Sequence, residues 1–328
     1  MKRGPQAARI GYFGKLPACA DFIKAADNLA LAQLLDHWLA QVMNRLSAAP
    51  RWKRHYDALQ PLQFAFVGTR SRRAIAGQLA ASADASQRRY PFLAMSAIEV
   101  DNDASGAPGF LVLSPLIVAP LWDAFDPLMA DVLAAASPDT ALQAMAATRV
   151  EIDPGDQQHV ALYADFVERH SIAGLEALLG RATVRRTIMA LGLLLQPVRG
   201  SGASRLQKSL VLPLPQAPQL RRLVAAFWLD LVAPFLQQAD VELALLIAEI
   251  DGQPVLVIGF DGAAPSTLHA VIDREAAGGQ LIGFDDAGWV DALLASDGHA
   301  EVRKLSASLA QGQLSLRSAC ALLHETLV

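Results

Sequence analysis

The sequence predicts an α/β protein of the mixed α+β kind: layers of predominantly antiparallel sheet covered by helices, in two subdomains. Three observations carry that expectation. Short strand-like runs come in groups and are then separated by runs of helices, which suggests mixed layers with antiparallel pairing in each sheet. Hydrophobic residues make up 53% and charged residues 18% of the 328, ample material for a core. A stretch free of apolar anchors, Arg199-Gly200-Ser201-Gly202-Ala203-Ser204, follows the helical middle and precedes a second strand group. We therefore expect one unit over residues 1–150, a second over 151–328 made of a helical segment and an α/β subdomain, and a linker near 199–205.

The elements follow in order. Residues 9–13 read as a short strand. Asp27 is placed to cap a helix reaching about Ala48, with Leu31, Leu34, Leu35, Trp38, Leu39 and Val42 at the spacing of one buried stripe, and Pro50 ends it. Strands are expected at 62–67, 74–80 and 92–99, the second alternating as far as Leu79. Residues 101–109 are turn-forming, 110–118 are apolar, and Ala-rich helices fill most of 121–147. Further helices are expected at 156–170, 172–179 and 181–195, the last ended by Gln196-Pro197. The second unit then reads as a strand at 208–212 and a helix over 217–238. A hairpin of 243–250 and 255–260 turns through Asp251-Gly252-Gln253-Pro254, and helices near 286–295, 301–310 and 315–327 close the chain.

Charge is unevenly shared. The net charge is −4, yet residues 1–100 hold 14 of the 28 lysines and arginines and only 6 of the 32 acids. The basic part either steers an acidic or phosphorylated protein surface, or nucleic acid, toward itself or docks on its own acidic C-terminal half. The basic N-terminus lacks the apolar core of a signal peptide, and the uncharged stretch Ala107 to Trp122 is broken by Pro108, Pro115 and Pro120. A cytoplasmic protein without an integral membrane segment is expected. Cys19 and Cys320, the only two cysteines, read as free thiols.

Two peptides follow no amphipathic period and so read as loops with a task. The first is Gly11-Tyr12-Phe13-Gly14-Lys15-Leu16-Pro17, continuing to Asp21-Phe22; the second is Ser82-Ala83-Asp84-Ala85-Ser86-Gln87-Arg88-Arg89-Tyr90-Pro91-Phe92. In the first, Gly14 and Pro17 fix a turn from which Lys15 and Asp21 project. In the second, Ser82 caps a turn, Asp84 pairs with Arg88, and Arg89 and Tyr90 are residue types enriched at protein interfaces. Whether Asp84 and Arg88 contact a partner or only hold the loop to its own domain stays open at this stage.

These peptides resemble the N-terminal signature of the TagF (ImpM) family, accessory proteins of bacterial type VI secretion. The resemblance lies in Phe13, Gly14, Lys15, Leu16, Pro17, Asp21 and Phe22, then in Ser82, Asp84, Arg88, Tyr90 and Pro91. Trp38-Leu39 and Pro61-Leu62-Gln63-Phe64-Ala65-Phe66 extend it, so that it covers residue 9 to about 120. Ala20, Ala81 and Gln87 stand where a glycine, a proline and a glycine are expected. Beyond residue 205, Ala226-Phe227-Trp228-Leu229-Asp230 and Gly259-Phe260-Asp261-Gly262-Ala263-Ala264 are similar to the longer members. The resemblance implies a post-translational regulator that restrains assembly of the secretion machine through protein contacts, in some systems by binding its forkhead-associated core component.

No catalytic, metal or cofactor residues are expected. Gly14-Lys15 is not a phosphate loop, because Arg9 stands where that motif needs glycine and Leu16 where it needs Ser or Thr. The alternative of another class is a metal-dependent phosphoesterase centred on Asp261, at the end of an apolar strand. Two-metal chemistry needs clustered Asp and His ligands, and Asp285-Asp286 is followed by no histidine. Turn formation with a helix cap at Ser266 explains the Asp261 peptide. Nucleic-acid binding is not expected: the pairs Arg72-Arg73, Arg88-Arg89, Arg185-Arg186 and Arg221-Arg222 are scattered, without an aromatic platform.

Overall fold

Strands from both ends of the sequence meet in one sheet. The computed structural model describes residues 4–100, 108–201, 206–275, 277–285, 287–295 and 300–328. The first hundred residues supply β1 (Gln6–Arg9), β2 (Gly11–Gly14), β3 (Ile23–Ala25), α1 (Leu29–Ser47), α2 (Trp52–Asp57), β4 (Leu62–Gly68), β5 (Arg73–Ala80) and β6 (Phe92–Glu99). The middle is α3 (Phe110–Ile117), α4 (Ala119–Ala134), α5 (Asp139–Ala147), β7 (Arg149–Ile152), α6 (Gln157–Arg169), α7 (Ile172–Leu179) and α8 (Val184–Ser201). The last part is β8 (Ser209–Pro213), α9 (Pro218–Leu236), β9 (Glu242–Ile250), β10 (Gln253–Gly259), α10 (Pro265–Ile272), β11 (Leu281–Gly283), α11 (Gly288–Ala295), α12 (Ala300–Leu309) and α13 (Leu316–Leu327).

Nine strands line up as β11-β8-β10-β9-β4-β5-β6-β2-β3, antiparallel throughout except where β11 runs parallel to β8. The joint between early and late strands is β4 against β9, in register from Gln63↔Ile247 to Gly68↔Glu242. Residue 150, where the boundary between the two units is expected, lies inside β7, and strands of both expected units share the nine-stranded sheet. Of the linker expected at 199–205, residues 199–201 are the end of α8, and 202–205 lie outside the described residues. The turn expected at 101–109 lies outside them as far as residue 107.

Side chains alternate across this sheet with the two-residue period of a strand. Phe64, Phe66, Ala244 and Leu246 face a core with α1, α2 and α10 that includes Trp38, Leu39 and Leu268. Ala65, Val67, Leu243 and Leu245 face the larger core, filled by Trp122, Phe125, Leu191, Trp228 and Leu323 from the helical middle and the C-terminal helices. Helix α9 is apolar around its circumference, and Val224 to Leu229 are all buried, as expected of a central core helix. The segment Phe110–Ala134 is long and apolar enough to cross a membrane by length and composition, and it packs Leu113, Trp122 and Phe125 into this core.

Several local expectations change. Asn28 caps α1, its Oδ1 accepting from Leu31 N at 3.0 Å, while Asp27 pairs with Arg9 at 2.7 Å. The buried stripe of α1 is Ala32, Leu35, Trp38, Leu39, Val42 and Leu46; Leu34 lies off it and is 48% exposed. Helix α8 runs through Pro197, because Leu195 and Val198 are buried in the core and this packing outweighs the lost hydrogen bond. Ala264, not Ser266, occupies the N-cap of α10, with Pro265 in the first turn. Strand β7, in the stretch between the helices expected to end at 147 and to start at 156, pairs with β1.

Candidate functional site

The two unusual peptides fold onto each other. Gly14 ends β2 opposite Phe92 of β6 with φ +133°, and a Cβ there would lie 2.1 Å from the Pro91 carbonyl oxygen. Only glycine lets the two backbones approach this closely. The chain then turns Lys15 and Leu16 inward, both buried, and leaves Pro17 exposed.

Lys15 does not project, contrary to expectation. Its Nζ donates to Asp84 Oδ2 at 2.8 Å, with 8% of the lysine side chain and none of the aspartate side chain exposed. Asp84 also accepts from Ser86 N at 3.0 Å, Arg88 N at 2.9 Å and Arg88 Nε at 2.7 Å. Burial alone would push its carboxyl up; the bonds from Lys15 and from the Arg88 backbone and side chain outweigh this and hold it well below the usual carboxylate range. Further bonds fasten loop to loop: Ser82 Oγ donates to Lys15 O at 2.7 Å, Ala85 N to Cys19 O at 2.9 Å and Arg88 Nη2 to Ala20 O at 2.9 Å. Gln87 adopts φ +61°, so the position where glycine is expected has the left-handed backbone that glycine favours.

Helix α2 backs the second loop. Tyr56 Oη donates to Ser82 O and accepts from Ser82 N, both at 2.9 Å, and burial pushes this phenol above its ordinary range. Arg89 makes a two-pronged contact with Asp57, each bond 2.7 Å, and so does not reach outward as a free cation. Tyr90 Oη donates to Asp36 Oδ1 at 2.6 Å, and its ring meets Phe22 edge-on at 4.8 Å. Lys15 Nζ lies 5.1 Å from the centre of the Phe22 ring.

Of the twelve residues singled out, Phe13, Gly14, Lys15, Leu16, Asp84 and Pro91 are buried, Ser82, Arg89 and Tyr90 are half-buried, and Pro17, Asp21 and Arg88 are exposed. The structure adds Tyr56, Asp57 and Asp36, which sequence reading missed; the six residues of α2 are too few to show a period. Beside the loops, Phe22 and Leu29 are 50% and 63% exposed and flank a groove of about 340 Å³ that Phe13, Ile23 and Ala32 also line.

Asp261 is exposed, and its carbonyl oxygen accepts from Ala264 N to close a turn. Asp285 pairs with Arg181, and Asp286 lies outside the described residues. Among the described residues, no three His, Cys, Asp or Glu side chains are grouped to hold a metal ion. Both cysteines are free, and burial pushes the Cys320 thiol up, beside Asp230.

Comparison with known proteins agrees with the loops. Residues 11–148 match the family model described as the TagF N-terminal domain, Type VI secretion system-associated. The crystal structure of PA0076 from Pseudomonas aeruginosa PAO1 aligns at 22% identity over 42% of this chain and 61% of its own, with a TM-score of 0.35. No curated protein matches. The matched segment begins at β2, ends just after α5 and contains both loops and the Lys15–Asp84 pair, so residues 11–148 are similar to the TagF N-terminal domain.

Proposed function

We propose that this protein is a cytoplasmic regulator that restrains type VI secretion after translation, by binding a component of the machine. The observation that carries the reading is the match of residues 11–148 to the TagF N-terminal domain, in which two loops form one structure with a central carboxylate held by internal donors. A buried carboxylate saturated by a lysine and an arginine organises a surface; it is poorly placed to act as a base or a metal ligand. The reading is therefore of a binding protein, with the loops as a scaffold for presentation. The forkhead-associated core component, which the family resemblance implies as a partner in some systems, is the first candidate.

The test is to delete the gene in a host that carries the secretion cluster and to measure export of the tube protein. Deletion should raise export, and overproduction should lower it. Unchanged export in both strains sinks the proposal. Copurification of the tagged protein with the forkhead-associated component, lost on deleting the latter, would identify the partner.

A further inference from the structure

We infer that the corner formed by the end of α1 and by α2 is a docking surface for an acidic segment of a partner protein. Between Asp36 and Asp57 the chain has no acid, and it places Arg45, Arg51, Lys53 and Arg54 there. All four are exposed, and among the described residues none makes an ion pair or a side-chain hydrogen bond, Lys53 being near enough to Asp57 only to add to Arg89's lowering of that carboxyl. Neighbouring acids are already engaged: Asp57 holds Arg89, and Asp273, with 2% of its side chain exposed, stands 3.0 Å from His55 Nδ1.

The corner is also rigid. Six residues cannot hold a helix alone, but α2 is anchored by three inward side chains. Tyr56 clamps Ser82, the Trp52 ring meets Tyr56 edge-on at 6.2 Å, and His55 sits against Asp273. Arg51, Lys53 and Arg54 are left pointing to water from a fixed base, which lowers the ordering cost of binding.

Charge decides the kind of partner. Four cations are grouped at this corner, while residues 101–328 hold 26 of the 32 acids. A long polyanion such as a nucleic acid, or an anionic bilayer, would need an extended basic face on a chain whose net charge is −4. A compact acidic protein segment would not. The inference rests on the reading of this protein as a regulator that works by binding.

The test uses the full-length protein and a labelled oligo-glutamate peptide, read by fluorescence anisotropy at low and moderate salt. The variant R45Q/R51Q/K53Q/R54Q should bind at least about tenfold more weakly and lose most of the salt dependence. R72Q/R73Q, which removes two exposed arginines where the turn after β4 enters β5, should bind as the parent does. An oligonucleotide and phosphatidylserine vesicles should bind more weakly than the peptide. No binding by the parent, equal loss in both variants, or tighter binding of oligonucleotide or vesicles overturns the inference. Should the fourfold variant melt early, R51Q/R54Q at the parent's melting temperature carries the same expectation in smaller measure. In cells, a deletion strain that secretes normally speaks against the regulatory reading. A fourfold variant that restrains secretion as well as the parent removes the corner and leaves that reading standing.

Discussion

Two arginine-bearing segments of the first hundred residues look alike in sequence and differ in the folded protein. Arg88 and Arg89 are committed inward, one to the buried Asp84 and the Ala20 carbonyl, the other to Asp57. Arg51, Lys53 and Arg54, beside that loop on the helix that supports it, face water and make no ion pair among the described residues, Lys53 having only the Arg89-bound Asp57 near it. The first segment spends its charge on holding two loops together, and the second keeps it available. Substitutions in the loops should therefore act first on stability, and substitutions in the corner on association alone.

The most damaging change should be Gly14→Val. A side chain there collides with the Pro91 backbone, and the positive φ strains any replacement, so a loss of several kcal/mol is expected. A melting temperature more than about 10 °C below the parent's is the measure; a normal melt would show that the two loops separate easily.

Next is Lys15→Ala, which leaves Asp84 buried without its lysine and should lower the melting temperature by roughly 5–10 °C. The same pair sets a pH dependence. The folded carboxyl lies below its unfolded value, so its contribution is complete above about pH 4 and is lost as pH falls further. Acidification should thus cost the parent more than it costs Asp84→Asn. Parallel curves for the two would count against the internal role of Asp84.

Arg89→Ala should be milder. The pair with Asp57 is partly exposed, 25% and 51% by side chain, and a double-mutant cycle on the two should return about 1 kcal/mol or less. The fourfold corner variant should change stability least, within about 0.5 kcal/mol, while it abolishes most peptide binding. A corner variant that melts several degrees early would erase the contrast between the segments.

Much of the architecture is legible in the chain. Alternating apolar residues place β4, β5, β6, β9 and β10 to within a residue or two, and proline, glycine and serine punctuation places most helices, because these signals are local and repeat over several residues. Where local signals compete, packing decides. Pro197 should stop a helix, yet Leu195 and Val198 carry α8 past it; β7 is too short to announce itself until β1 offers a partner.

The two peptides stand out in the sequence by composition alone, and Gly14, Asp84 and Gln87 mark where the backbone has to turn or be tied. What composition leaves open is direction. Lys15 goes inward because Asp84, far along the chain, waits beneath it, and Arg89 is neutralised because α2 brings Asp57 beside it. Ion pairing depends on distances of a few ångströms between residues tens of positions apart, and no periodicity or local propensity encodes such a distance. The β4–β9 joint is of the same kind: both strands are readable, and only the burial of their two faces between opposing helix layers selects them as neighbours.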